Sequence, residues 1–119
     1  MGRNIRKYNV FSLAHQAVLG VYKLTNKLPD HERYGLISQI RRCAYSIPMN
    51  LVEGEARRTE ADFAYFVNIS NASCQEIKYQ LELVRDLGYI TQKDFEEFLG
   101  AYERISKMLY NLEKSIRKS

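Results

Sequence analysis

The side chains of this sequence that could carry covalent or acid–base chemistry are two histidines, two cysteines and scattered carboxylates. Their spacing organises none of them into a reacting set. His15 falls inside an apolar-periodic run, and His31 follows Asp30 in a polar link. An aspartate in a link readily bonds its own backbone, so the Asp30–His31 pair reads as a turn and cap rather than as an oriented general base. Small helical RNA-cleaving toxins carry an arginine a short, set distance ahead of their histidine. Residues 8–10 before His15 and 24–26 before His31 hold none. Cys43 and Cys74 stand alone, without the paired spacing of a zinc site or a redox motif. Each is expected to act as a small buried apolar side chain. A disulfide is the lesser reading, because nothing points to an oxidising compartment. There is no Glu-x-x-His unit of a di-iron bundle, no glycine-rich phosphate loop and no nucleophile motif. The sequence therefore predicts no catalytic residue, no metal site and no cofactor, and the chain is expected not to be an enzyme.

What the sequence does gather is positive charge. The formal net charge is only +4, but residues 1–29 hold Arg3, Arg6, Lys7, Lys23 and Lys27 and no acid, while residues 59–90 hold five acids against two bases. Whether such charges converge depends on the elements that carry them. Phe95, Phe98, Tyr102, Ile105, Leu109, Leu112 and Ile116 alternate steps of three and four, the seam of a helix over about residues 92–117. Thr91 and Asp94 suit a capping box at its start. Thr59 and Asp62 open another helix in the same way, over about 60–87, with Phe63, Phe66, Ser70, Ser73, Ile77, Leu81 and Val84 as its seam. Leu87-Gly88 ends it, because glycine accepts the left-handed backbone of a helix stop. A third helix covers about 32–55, with Pro48 inside its period. Proline cannot donate to the carbonyl of Ala44, so a kink is expected there, in preference to a break at Ser46 and a restart. A fourth covers about 9–28, with Val10, Ala14, Ala17, Val21, Leu24 and Leu28 as seam and Phe11, Val18 and Tyr22 as a surplus apolar set. Ser70, Ala72, Ser73 and Cys74 are small enough for close helix approach. The sequons Asn68-Ile69-Ser70 and Asn71-Ala72-Ser73 lie within a helix and read as chance matches.

Short polar links make neighbouring helices antiparallel. The expected fold is all-α, an antiparallel up-down-up-down four-helix bundle forming one domain over residues 1–119. In that topology one pole collects Arg3, Arg6, Lys7, Arg57, Arg58, Lys114, Arg117 and Lys118 against Glu53, Glu55, Glu60, Asp62 and Glu113. Cations ending the last helix complement its negative C-terminus, but Arg3, Arg6 and Lys7 precede a helix N-terminus, where that argument fails. The alternative is a phosphate-binding surface that releases counterions. Tyr8 and Tyr45 are candidates to stack on bases, or to fill core or interface.

The stretch Tyr34-Gly35-Leu36, Ser46-Ile47-Pro48-Met49-Asn50-Leu51-Val52-Glu53-Gly54, Arg57-Arg58-Thr59, Asp62-Phe63, Phe66, Gln75-Glu76, Gln80-Leu81 and Leu87-Gly88-Tyr89-Ile90 resembles the 23S rRNA intervening-sequence proteins, a family of bacterial four-helix bundles. The likeness runs from Phe11 to about Leu112. His15 stands where the family pattern has tryptophan, and Ala72 where it has glycine, which suggests altered local packing. The resemblance implies a homo-oligomeric ring, expected to be a pentamer, and an association with RNA. It also implies kinship in architecture with the accessory variability proteins of diversity-generating retroelements, pentameric barrels that bind nucleic acid and a reverse transcriptase. The functional expectation is a non-enzymatic nucleic-acid-binding homo-oligomer, RNA in preference to DNA, using the basic pole. The competing expectation is an adaptor for a protein partner such as a reverse transcriptase, motivated by the surplus apolar surface of the first helix.

No run of the sequence approaches eighteen apolar residues, so no membrane association is expected. The N-terminus leads into no signal core. Gly2 invites myristoylation, but Arg6 occupies the position where that motif needs serine or threonine. A cytoplasmic location is the resulting expectation.

Overall fold

Apolar side chains recurring every three or four residues leave each long segment a single stripe to bury, and helices packed stripe to stripe satisfy all of them at once. A computed structural model describes residues 3–118 and shows this arrangement, with α1 Asn9–Thr25, α2 Ser38–Glu55, α3 Glu60–Asp86 and α4 Gln92–Lys118. Gly2, the candidate for lipidation, lies outside the described residues. Each helix packs on its sequence neighbours, and α1 closes the bundle against α4. Among the described residues there is no strand, and no helix is long and apolar enough to cross a membrane. The seams are where the spacing puts them. Phe63, Ile77, Leu81, Tyr102, Ile105 and Leu109 are at most 1% exposed, and each such side chain contributes about 1.5–3 kcal/mol by leaving water.

The ends of the helices follow local chemistry. Thr59 Oγ1 accepts the Asp62 amide at 3.1 Å. At the start of α4 the box closes from both sides: Thr91 Oγ1 accepts the Asp94 amide at 3.0 Å, and Asp94 Oδ2 accepts the Thr91 amide at 3.4 Å. Gly88, at φ +82°, ends α3 in the left-handed conformation. The Tyr89 amide then reaches Val84 O and the Gly88 amide reaches Arg85 O, both at 2.9 Å, which satisfies two of the last carbonyls.

Two boundaries depart from the periodicity. Helix α1 stops at Thr25 and not near residue 28, because residues 26–28 tighten into turns ahead of Pro29, whose ring disfavours helix at Leu28. Leu28 nevertheless stays buried. Regular α2 begins at Ser38 and not near residue 32. It is preceded by a 3-10 turn at Asp30–Glu32 and a loosely wound turn at Arg33–Ile37, in which Gly35 leaves helical dihedrals (φ −111°, ψ −108°). The interruption in this segment therefore sits at Gly35. Helix α2 runs unbroken through the buried Pro48, so the break and restart at Ser46 does not occur.

Small residues let α2 and α3 approach. Ser70 is wholly buried and its Oγ donates to Ile47 O at 2.9 Å. Ser46 and Ser73 share a hydroxyl–hydroxyl hydrogen bond of 2.7 Å. Cys43 and Cys74 are free and buried, and burial pushes both thiols up to about 12, so they stay protonated and inert at neutral pH. His15 and Ala72, the two departures from the family pattern, are both exposed.

Candidate nucleic-acid interface

The eight basic residues singled out by the sequence gather at one end of the bundle, but they do different things there. A 3-10 turn at Ile5–Lys7, not anticipated from the sequence, docks on the α2–α3 link: Ile5 is fully buried and its amide donates to Glu55 Oε2 at 2.8 Å. Arg3 is the clamp of this junction. Its Nη1 donates to Glu55 O at 3.0 Å and Arg57 O at 2.6 Å, its Nε and Nη2 bond Glu60 Oε1 at 3.0 and 2.6 Å, and its guanidinium lies 4.7 Å from the Phe63 ring centroid. A cation thus meets the last carbonyl of α2, a carbonyl of the link and an acid in the first turn of α3, and the helix dipoles favour the first and the last of these. The charge that made no sense ahead of α1 serves the ends of two other helices. Arg3 is structural.

Arg57 pairs with Glu53 at 2.8 Å and lies over the Phe66 ring. Arg117 pairs with Glu113 at 2.8 Å, and Glu113 also accepts from Asn68 Nδ2 at 3.1 Å. That last contact and the bond from Gln75 Nε2 to Ser106 Oγ at 3.0 Å set α3 and α4 antiparallel, which carries the end of α4 to the start of α3. Arg6, Lys7, Arg58, Lys114 and Lys118 are exposed and form no ion pair among the described residues, although Arg6 lies over the Phe11 ring. At this pole Glu53, Glu60 and Glu113 are engaged by arginines and Glu55 by a backbone amide, while Asp62 is exposed and forms no ion pair among the described residues. The charge left over is positive.

The opposite pole is more evenly matched. Lys27 Nζ pairs with Asp94 Oδ2 at 2.7 Å, and its hydrogen bond holds the Asp94 carboxyl below the usual carboxylate range. Tyr89 OH donates to Glu32 Oε2 at 3.0 Å, which raises the phenol's pKa. The sequence reading missed Arg41, which closes the C-terminus of α1 by donating to Thr25 Oγ1 at 2.8 Å and Tyr22 O at 3.2 Å. Of the tyrosines proposed to stack on bases, Tyr8 is half-buried against the core, and Tyr45 lies mid-helix in α2, about 15 Å from its polar end. An aromatic that was overlooked, Tyr110, is 58% exposed on α4 near the basic end. It stands off the seam of that helix, and this is the signal that could have found it. A broader groove of about 660 Å³ between α2 and α3 includes Arg42, Ser46 and Glu76, at mid-bundle and away from the basic end.

Fold and charge together describe an antiparallel four-helix bundle with one basic end. A model of the 23S rRNA-intervening sequence proteins matches residues 6–111, and the chain belongs to that family. A solved structure from Bacteroides thetaiotaomicron VPI-5482, described as a protein with unknown function from the S23 ribosomal protein family, is similar over 88% of this chain and 98% of its own, with a TM-score of 0.79 and 27% sequence identity. No functionally curated protein matches this sequence.

Proposed function

We propose that this chain is a non-enzymatic RNA-binding protein that acts as a homo-oligomeric ring and meets phosphates with the basic end of the bundle. The observation that carries this reading is the set of exposed, unpaired cations Arg6, Lys7, Arg58, Lys114 and Lys118, which outnumber Asp62, the one acid of this pole left unengaged. Membership of a family named for 23S rRNA intervening sequences supports RNA as the polyanion. Tyr45, Met49 and Val52 leave an exposed apolar face on α2 that a second copy would cover, in keeping with the ring.

The test is fluorescence-anisotropy binding to a structured rRNA fragment and to duplex DNA across a salt series. The expected result is tighter binding to RNA and affinity that falls steeply with salt. Charge reversal at Lys7 and Arg58 should flatten the slope of log affinity against log salt by about 1.4–1.8, because each phosphate contact releases roughly 0.7–0.9 counterion. These two are better probes than Arg3 or Arg57, whose reversal would disturb packing. Unchanged affinity and slope would reject this surface, and a solution mass equal to one chain at micromolar concentration would reject the ring.

A further inference from the structure

Beside the basic end, the outer seam between α3 and α4 opens into a cleft of about 430 Å³, within the range of clefts that hold a small-molecule-sized unit (about 300–1,000 Å³). Helix α4 supplies Tyr110, Lys114 and Lys118, which follow one another at helical spacing on one face. Helix α3 supplies Asn68 and Asn71. The one acid in the lining, Glu113, is engaged by Arg117 Nε at 2.8 Å and by Asn68 Nδ2 at 3.1 Å, so its charge is answered within the cleft. Lys114 and Lys118 form no ion pair among the described residues and remain a net positive charge.

The amides are poised in complementary senses. Asn68 uses its Nδ2 on Glu113, which leaves its Oδ1 as an open acceptor. Asn71 uses its Oδ1 to accept from Ser106 Oγ at 2.6 Å and from Gln75 Nε2 at 3.3 Å, which leaves its Nδ2 as an open donor. One open acceptor and one open donor, three residues apart on one helix, offer both hydrogen-bonding senses that every nucleobase shows on its Watson–Crick edge. The exposed ring of Tyr110 offers a stacking surface, and the lysines suit phosphate oxygens. An acidic peptide would use the lysines and leave both the ring and the amide pair idle.

We infer that this cleft binds an unpaired ribonucleotide of a single-stranded RNA segment, with its base on Tyr110, its base edge at Asn68 and Asn71, and its phosphates at Lys114 and Lys118. The inference rests on the RNA-binding reading above and deepens it. A base held in this way is out of any duplex, so the cleft confers a preference for single strands that a ring of cations alone lacks.

The test compares a fluorescently labelled oligouridylate of about eight nucleotides with an RNA duplex of equal length. The wild-type protein should favour the single strand. Tyr110→Ala should weaken single-strand binding about tenfold, a typical loss for a stacked aromatic, while duplex binding and its salt slope persist. Tyr110→Phe should retain the preference, and Lys114→Gln should flatten the single-strand salt slope by about 0.7. The side chain of Tyr110 is exposed, so neither tyrosine variant threatens the fold. Single-strand binding by Tyr110→Ala equal to wild type would overturn the cleft and leave the basic surface standing. Absence of wild-type binding to either RNA at low salt would overturn both.

Discussion

Gly54 and Gly100 both lie in helices, and the same substitution at each should move stability in opposite directions. An added methyl at Gly54 would stand 2.9 Å from Phe66 Cβ and 3.0 Å from Phe63 Cδ1, whereas at Gly100 it would meet nothing within 4 Å. Replacing glycine by alanine in a helix interior gains about 0.8–1 kcal/mol. Gly100→Ala should realise most of this. At Gly54, the second-last residue of α2, the gain is smaller, and the clash opposes it. Phe66 Cβ is fixed by the backbone of α3 and cannot rotate away, so the helices must part, at about 1–3 kcal/mol for an overpacked contact. Gly54→Ala should therefore lose about 0.5–2 kcal/mol. The gap between the two variants measures the close approach of α2 and α3 at the basic end. Urea titration by far-UV circular dichroism, at one protomer concentration so that assembly does not confuse the comparison, reads both values. Each kcal/mol corresponds to roughly 4 °C in Tm for a chain of this size. Stabilisation of both variants by similar amounts would refute the reasoning, because it would mean that the helices separate there at no cost.

Three further outcomes follow from the contacts described. Arg3→Ala should destabilise the protein by about 2 kcal/mol in the same assay, through loss of charged hydrogen bonds and the ring contact, and Arg3→Lys should recover little. A neutral Arg3→Ala would show that the clamp is idle. Tyr102 is fully buried and its hydroxyl has no protein partner, so Tyr102→Phe should raise stability by up to about 1 kcal/mol; a loss of that size would contradict an idle hydroxyl. The Lys27–Asp94 contact sets an acid limb. Its folded carboxyl lies below the ordinary value of 3.8, so its contribution is complete above that value and is lost as pH falls through the lower folded pKa. Lys27→Met should raise the Asp94 pKa in an NMR carboxyl titration, and an unmoved pKa would show that Lys27 is not its cause.

Periodicity located the four seams and capping chemistry located the starts of α3 and α4, because both signals are local and written in adjacent residues. What the sequence hid depends on contacts between distant segments. The Gly35 irregularity is one example: glycine permits the dihedrals found there but does not demand them. Arg3 is another, since its partners Glu55, Arg57 and Glu60 lie more than fifty positions away. Counting charges at the pole placed it correctly and could not separate a clamp from a free cation. The amide pair at Asn68 and Asn71 sits within two sequons; its helical spacing places both on one face of α3, and the cleft they flank exists only through the packing of α4.

The hydroxyl contacts between α2 and α3 have a consequence for alignment. Two helices joined only by aliphatic side chains can slide past each other by a turn, exchanging one greasy neighbour for another at modest expense. Here a slip of four residues would set Ile69 or Ile77 against Ser46 and carry Ser70 away from the Ile47 carbonyl. The wholly buried Ser70 hydroxyl would be left without its acceptor, at about 1–3 kcal/mol, and the part-buried Ser46–Ser73 bond would break. The three serines thus add little to how tightly the pair grips, and they single out one register from its sliding neighbours, as the notches of a key admit only one position of the lock.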